Sequence, residues 1–121
     1  MLVLLGGALG SGARYLVSVW LLERFGGGFP WGTLTVNVIG SFLIGVIATL
    51  ADERAVIGPS ARVFLIVGVL GGFTTFSSFS LETLRLLEDR GAGVAVLNVI
   101  GNGTLSLGAA GFGIVAARSF D

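Results

Sequence analysis

Four apolar blocks, separated by short polar or glycine-rich breaks, run the length of the chain. A hydrocarbon core of ~30 Å is crossed by about 20 apolar residues as helix. Residues 2–22, 31–51, 63–81 and 91–117 each come close to or exceed that length. The second block carries no charge, and the first has Arg14 embedded in it. Between them lies Phe25-Gly26-Gly27-Gly28-Phe29-Pro30, a helix breaker. Asp52-Glu53-Arg54 with Gly58-Pro59-Ser60 ends the second block, and Glu88-Asp89-Arg90-Gly91 the third. The blocks lack the polar stripe of a water-facing amphipathic helix. The pattern predicts an all-α membrane protein, one domain over residues 1–121, with four transmembrane helices. Met1 to Leu5 has no positive flank, and apolar character continues to Leu22, so the first block reads as a retained span and not a signal peptide.

Composition agrees. Of 121 residues, 54% are hydrophobic and 12% charged, against about 25% charged in soluble domains. Every one of the 7 basic residues is arginine, the net charge is zero, and histidine and cysteine are absent. A basic nucleic-acid surface, disulfides, thiolate nucleophiles and Cys/His metal sites are therefore excluded. So is the usual proton shuttle near neutral pH. The residues give no support to an enzyme.

With four spans, both termini share a side with the loop between spans two and three. That side holds Arg54, Arg62 and Arg118; the other holds Arg24, Arg85 and Arg90. Equal tallies leave the positive-inside rule nothing to act on. Copies inserted both ways up can pair as an antiparallel homodimer. The 21 glycines include small-x-x-x-small spacings at Gly6/Gly10, Ser41/Gly45, Gly68/Gly72 and Ala109/Gly113, which let helix backbones approach closely.

Candidate chemistry centres on Gly71-Gly72-Phe73-Thr74-Thr75-Phe76-Ser77-Ser78-Phe79-Ser80 in the third block. Paired glycines followed by β-branched threonines make a poor helix interior. A break there frees carbonyls that protein or an ion must satisfy, and unwound carbonyls at mid-membrane can hold sodium. Phe76 and Phe79 share a helix face. A ring edge carries weak positive charge, although such pairs also serve simple packing. Ser77, Ser78 and Ser80, interleaved with them, seek a partner or a wet path. In the second block, Asn37 brings two amide donors without full charge. In the fourth, Asn98, Asn102 and Ser106 recur at i, i+4, i+8 as one polar stripe. Such a stripe serves either interhelical hydrogen bonding or a route for a small hydrated anion. Arg14 reads either as an electropositive vestibule or as a partner for a helix C-terminus.

Three stretches together resemble the Fluc (CrcB) family of fluoride channels: Gly10-x-Gly12-Ala13-Arg14-Tyr15, Gly32-Thr33-Leu34-x-Val36-Asn37-x-x-Gly40-Ser41-Phe42, and Gly71 through Phe79. The resemblance covers essentially the whole chain. It implies an antiparallel dual-topology dimer in the cell inner (plasma) membrane, with two pathways that export fluoride passively and relieve its toxicity. It implies a pathway of Asn37, Phe76, Phe79, Ser77, Ser78, Asn102 and Ser106. It also implies a structural sodium held by the backbone carbonyls of Gly71 and Thr74. Glu82 matches an acidic position of the family. Ser78 stands where threonine is commoner, and Asn98 and Asn102 stand where many relatives have an aromatic or hydroxyl residue.

The partners expected are fluoride, a second copy and membrane lipid, with no nucleic acid. A proton-coupled four-helix multidrug exporter has the same size and topology, but it needs a carboxylate within a span, typically the first. The first block has Arg14 and no acid, and Glu82 lies at a helix end. A purely structural subunit would leave the central Gly-Gly-Phe-Thr-Thr-Phe motif unexplained.

Overall fold

The computed structural model describes residues 1–120. Helix α1 spans Leu2–Phe25 and α2 spans Trp31–Asp52. The third span, Pro59–Arg90, is divided. Its first arm, α3 (residues 59–73), starts as one α-turn, is wound as a π-helix over Val63–Leu70 and closes with a turn at Gly71–Phe73. Its second arm, α4, is Ser77–Arg90, and α5 is Ala92–Arg118. All four spans are long and apolar enough to cross a bilayer, and the third is broken near its middle. The protein is thus an all-α, multi-pass membrane protein.

The break is local. Thr74 is extended, with φ −90° and ψ 159°, and the helix restarts at Ser77. Gly71 and Gly72 stay helical, so the turn falls on the first β-branched residue after them. Two corners elsewhere use glycine at positive φ, Gly26 at 77° and Gly91 at 94°, where a side chain would strain the backbone, while the corner after the second span places Ala55 at 53°.

Packing runs in two pairs. Helix α1 lies along α3, and α2 along α5, with α4 resting on α5. Glycine makes the first pairing possible. A Cβ on Gly6 would sit 2.8 Å from the Gly68 Cα, and one on Gly72 would sit 2.6 Å from the Gly7 carbonyl oxygen. Gly45 faces the Ala110 backbone and Gly113 the Phe42 carbonyl in the second pairing. These approaches are the close-contact geometry of small-residue membrane interfaces.

Few apolar side chains are buried. Among the described residues they are Leu21, Val36, Leu70, Leu86, Ala95 and Ala117. That is far too little core for a chain of this size in water, as expected of a chain whose surface lies in a bilayer. At one end Phe25, Phe29 and Trp31 cluster, with Phe29 and Trp31 ring centres 4.8 Å apart. Such aromatics suit the headgroup level. At the other end Arg62 pairs with Asp52 at 3.2 Å and Arg118 with Glu53 at 2.6 Å. The Arg118 hydrogen bonds hold the Glu53 carboxyl below its ordinary range.

Gly10 gives a direct check on this packing. A methyl there would press on the Val69 carbonyl and come within 2.8 Å of the Phe73 nitrogen, both backbone. Gly10→Ala should cost about 1–3 kcal/mol, the range for overpacking a filled site. Gly7→Ala meets nothing within 4 Å and serves as the control. Detergent-solubilised Gly10→Ala melting no lower than Gly7→Ala would contradict the α1–α3 contact.

Candidate functional site

The break exposes backbone that a helix would have satisfied, and side chains from other spans answer for much of it. Thr75 N–H, which would ordinarily bond four residues back, donates instead to Asn37 Oδ1 at 2.9 Å. Asn37 Nδ2 returns a bond to the Thr75 carbonyl at 3.1 Å. The α2 amide therefore pairs with the third span as a neighbouring strand would. Arg14 Nε donates to the Gly72 carbonyl at 3.0 Å, placing the one mid-span cation at the end of the first arm. The Thr74 hydroxyl folds back on the Leu70 carbonyl at 2.9 Å.

Thr75 restarts the helix. Its Oγ1 accepts the Ser78 N–H at 3.1 Å, in the manner of an N-cap, and lies 3.4 Å from the Ser77 hydroxyl. The carbonyls of Gly71 and Thr74 receive no hydrogen bond from any donor among the described residues. They are hard, neutral oxygens beside the break, and a sodium ion is chemically suited to such donors.

Beside the break is an open cleft of about 630 Å³, lined by Asn37, Gly40, Thr74, Thr75, Phe76, Phe79, Asn102 and Ser106 among apolar neighbours such as Leu70 and Ile44. Among the described residues, no ionisable side chain lines it. The two phenyl rings stand 5.5 Å apart, tilted by 52°. Phe76 is 78% exposed, so this face has no cover within one copy. Asn102 is buried, its Oδ1 accepting from Asn37 Nδ2 at 3.1 Å. The Ser106 hydroxyl is buried with no partner among the described residues, a polar group left facing the cleft. Gly40 is required where it stands: a Cβ there would overlap the Thr74 methyl.

The structure thus gathers Asn37, Phe76, Phe79, Asn102 and Ser106, with Gly71 and Thr74 at the same rim. Ser77, Ser78 and Arg14 are not among the lining residues; Ser77 and Ser78 sit on the first turn of α4, and Arg14 lies on α1. Glu82 is placed toward the aromatic end, accepting the Thr33 hydroxyl at 2.5 Å. Both line a second, smaller cleft of about 350 Å³ with Arg85, Asp89 and Arg90.

Sequence reasoning missed Thr75 as the pivot. Its signal was a hydroxyl three residues before Ser78, ahead of a charged helix. It also gave no role to Thr83, whose hydroxyl accepts from Asn98 Nδ2 at 2.9 Å. Nothing in a single sequence marks that contact.

Against known proteins, the family model described as "CrcB-like protein, Camphor Resistance (CrcB)" matches residues 1–114. The protein of Opitutus terrae named "Fluoride-specific ion channel FluC" is 52% identical over 117 residues, 95% of this chain and 89% of that one. The proteins of the same name from Thermus thermophilus and Rhizobium meliloti are 55% identical over 107 residues and 60% identical over 88. The first covers 88% of this chain and 84% of its own, the second 73% and 70%.

Proposed function

The chain belongs to the CrcB-like family, and from that membership we propose that it is a passive, fluoride-selective channel of the cell inner membrane, and not an enzyme. The observation that carries the pathway is the uncharged cleft at the break, where an amide, two phenyl rings and a hydroxyl from three spans converge. Neutral donors can replace part of a small anion's water shell and still release it. A fixed ammonium or guanidinium in the same place would bind and hold.

An antiparallel pair of copies forms the working unit. Two observations support it: the even arginine tally across the two sides, and the cleft's open face with Phe76 unburied. A second copy across that face would close each cleft into a narrow route, giving two routes per dimer. The free carbonyls of Gly71 and Thr74 would hold a structural sodium there, and its charge would fix the two breaks against each other.

Purified protein in liposomes loaded with fluoride or chloride tests the reading. Fluoride should leave quickly and chloride barely, followed by ion-selective electrode. Equal efflux of the two would remove the selectivity, and no fluoride efflux would remove the channel. Drug-dependent proton movement would favour an exporter instead, a chemistry for which α1 offers no acid between Leu2 and Leu22.

A further inference from the structure

Asn98 is fully buried and Asn102 is 5% exposed, so both amides must find their partners within the protein. Those partners form a continuous chain. The Thr83 hydroxyl donates to the Phe79 carbonyl at 2.7 Å. Its oxygen accepts from Asn98 Nδ2 at 2.9 Å. Asn102 Nδ2 donates to both the Asn98 carbonyl and Asn98 Oδ1, at 3.1 and 3.0 Å. Asn102 Oδ1 then accepts from Asn37 Nδ2, and Asn37 meets Thr75 at the break.

We propose that Thr83 and Asn98 are positioning residues for conduction: they set the direction of this amide chain and so govern how firmly Asn37 grips a passing anion. The proposal rests on the reading that the protein conducts fluoride past Asn37. Direction follows from donor counting. A hydroxyl has one proton, and with that proton on the Phe79 carbonyl the Thr83 oxygen can only accept. Asn98 must therefore turn its NH2 to Thr83 and its carbonyl oxygen to Asn102. Asn102 must turn its NH2 to Asn98 and its oxygen to Asn37. Both protons of Asn37 Nδ2 are then held, one by Asn102 and one by Thr75.

An anion at Asn37 thus exchanges with the Asn102 oxygen for a proton that is already shared. Binding is shallow, as rapid passage requires. Without the Thr83 hydroxyl, the Asn98 NH2 loses its acceptor, and only the Asn102 bond to Oδ1 still orients that amide. If Asn98 and Asn102 then turn over around an anion, giving up the bond to the Asn98 carbonyl while Thr75 N–H keeps Asn37 in place, Asn102 presents NH2 to the cleft, the competitor is gone, and two amides offer protons to the ion. Fluoride then binds more tightly and leaves more slowly.

The test is the fluoride dependence of efflux from liposomes bearing the full-length native protein, Thr83→Val or Thr83→Ser. Thr83→Val should lower the maximal rate about fivefold, the lower end of site-to-site coupling, and should also lower the half-saturating fluoride concentration. Thr83→Ser, which keeps the hydroxyl, should restore both. Thr83→Val in an Asn98→Ala background should add less than a twofold change, because both act through one chain. An unaltered half-saturation in Thr83→Val, failure of Thr83→Ser to rescue, or multiplied effects in the double variant would overturn the proposal. If Thr83→Val gives no assembled protein by size exclusion, Thr83→Ala decides by the same measurements, and loss of assembly there too would assign Thr83 to packing. Native protein that releases no fluoride would bring down the channel reading with it. Native efflux with an unchanged Thr83→Val would bring down this proposal alone.

Discussion

Asn37→Leu should reduce fluoride efflux by about 100-fold, equivalent to ~2.7 kcal/mol of barrier. Leucine has the same branched four-atom skeleton as asparagine, so the change removes hydrogen bonds without opening a hole. Three contacts go at once: the Thr75 N–H to Oδ1, and Nδ2 to the Thr75 carbonyl and to Asn102 Oδ1. Two backbone groups of Thr75 are left unpaired at membrane depth, at about 1–3 kcal/mol each. The break loses the side chain that holds it open, and the cleft loses its amide from α2. A drop in melting temperature should accompany the lost flux. Asn37→Leu conducting at the native rate would detach both the break and the pathway from this residue.

Replacing both rings, Phe76→Ile with Phe79→Ile, should cost about 100-fold in efflux, taking up to ~1.5 kcal/mol for each aromatic contribution. Each single replacement should cost about tenfold on the same footing. Isoleucine keeps the apolar bulk and removes the ring edge with its outward positive charge. Phe76 is largely exposed and Phe79 only partly covered in a single copy, so neither substitution opens a cavity in the bundle. Size-exclusion profiles should match those of the native protein while the electrode trace flattens. Native efflux from the double variant would assign the rings to packing alone.

Much of the architecture was legible because the bilayer imposes a simple rule on composition. Blocks of apolar residues near the required length had no other use, and Gly-Gly before Thr-Thr marked the broken span. The exact hinge was not legible. Gly71 and Gly72 are helical, and Gly72 serves α1 through close contact at Gly7 and Ser11; the extended residue is Thr74. No residue pattern announces the π-winding of Val63–Leu70, and a helical wheel drawn through it with α spacing assigns the wrong faces.

The polar stripe of α5 was visible as a stripe, yet its partners were not. Whether Asn102 meets lipid, water or Asn37 depends on how α5 lies against α2, which local sequence does not encode. Arg14 shows the same limit. Its isolation within an apolar block was plain, but the carbonyl it reaches, that of Gly72, lies 58 positions away. The short motifs placed Asn37 and both phenylalanines in one cleft only because they had a family behind them.

The glycine seam between α1 and α3 also determines which part of the molecule can move. Backbone meets backbone there, so no rotamers are frozen on contact, and glycine forfeits no side-chain entropy where a long residue would give up ~2 kcal/mol. Warming has little to unlock along that join. Helix α1 and residues 59–73 should travel as one rigid slab, and any swing has to be taken up at residues 74–76, with α4 as the lever.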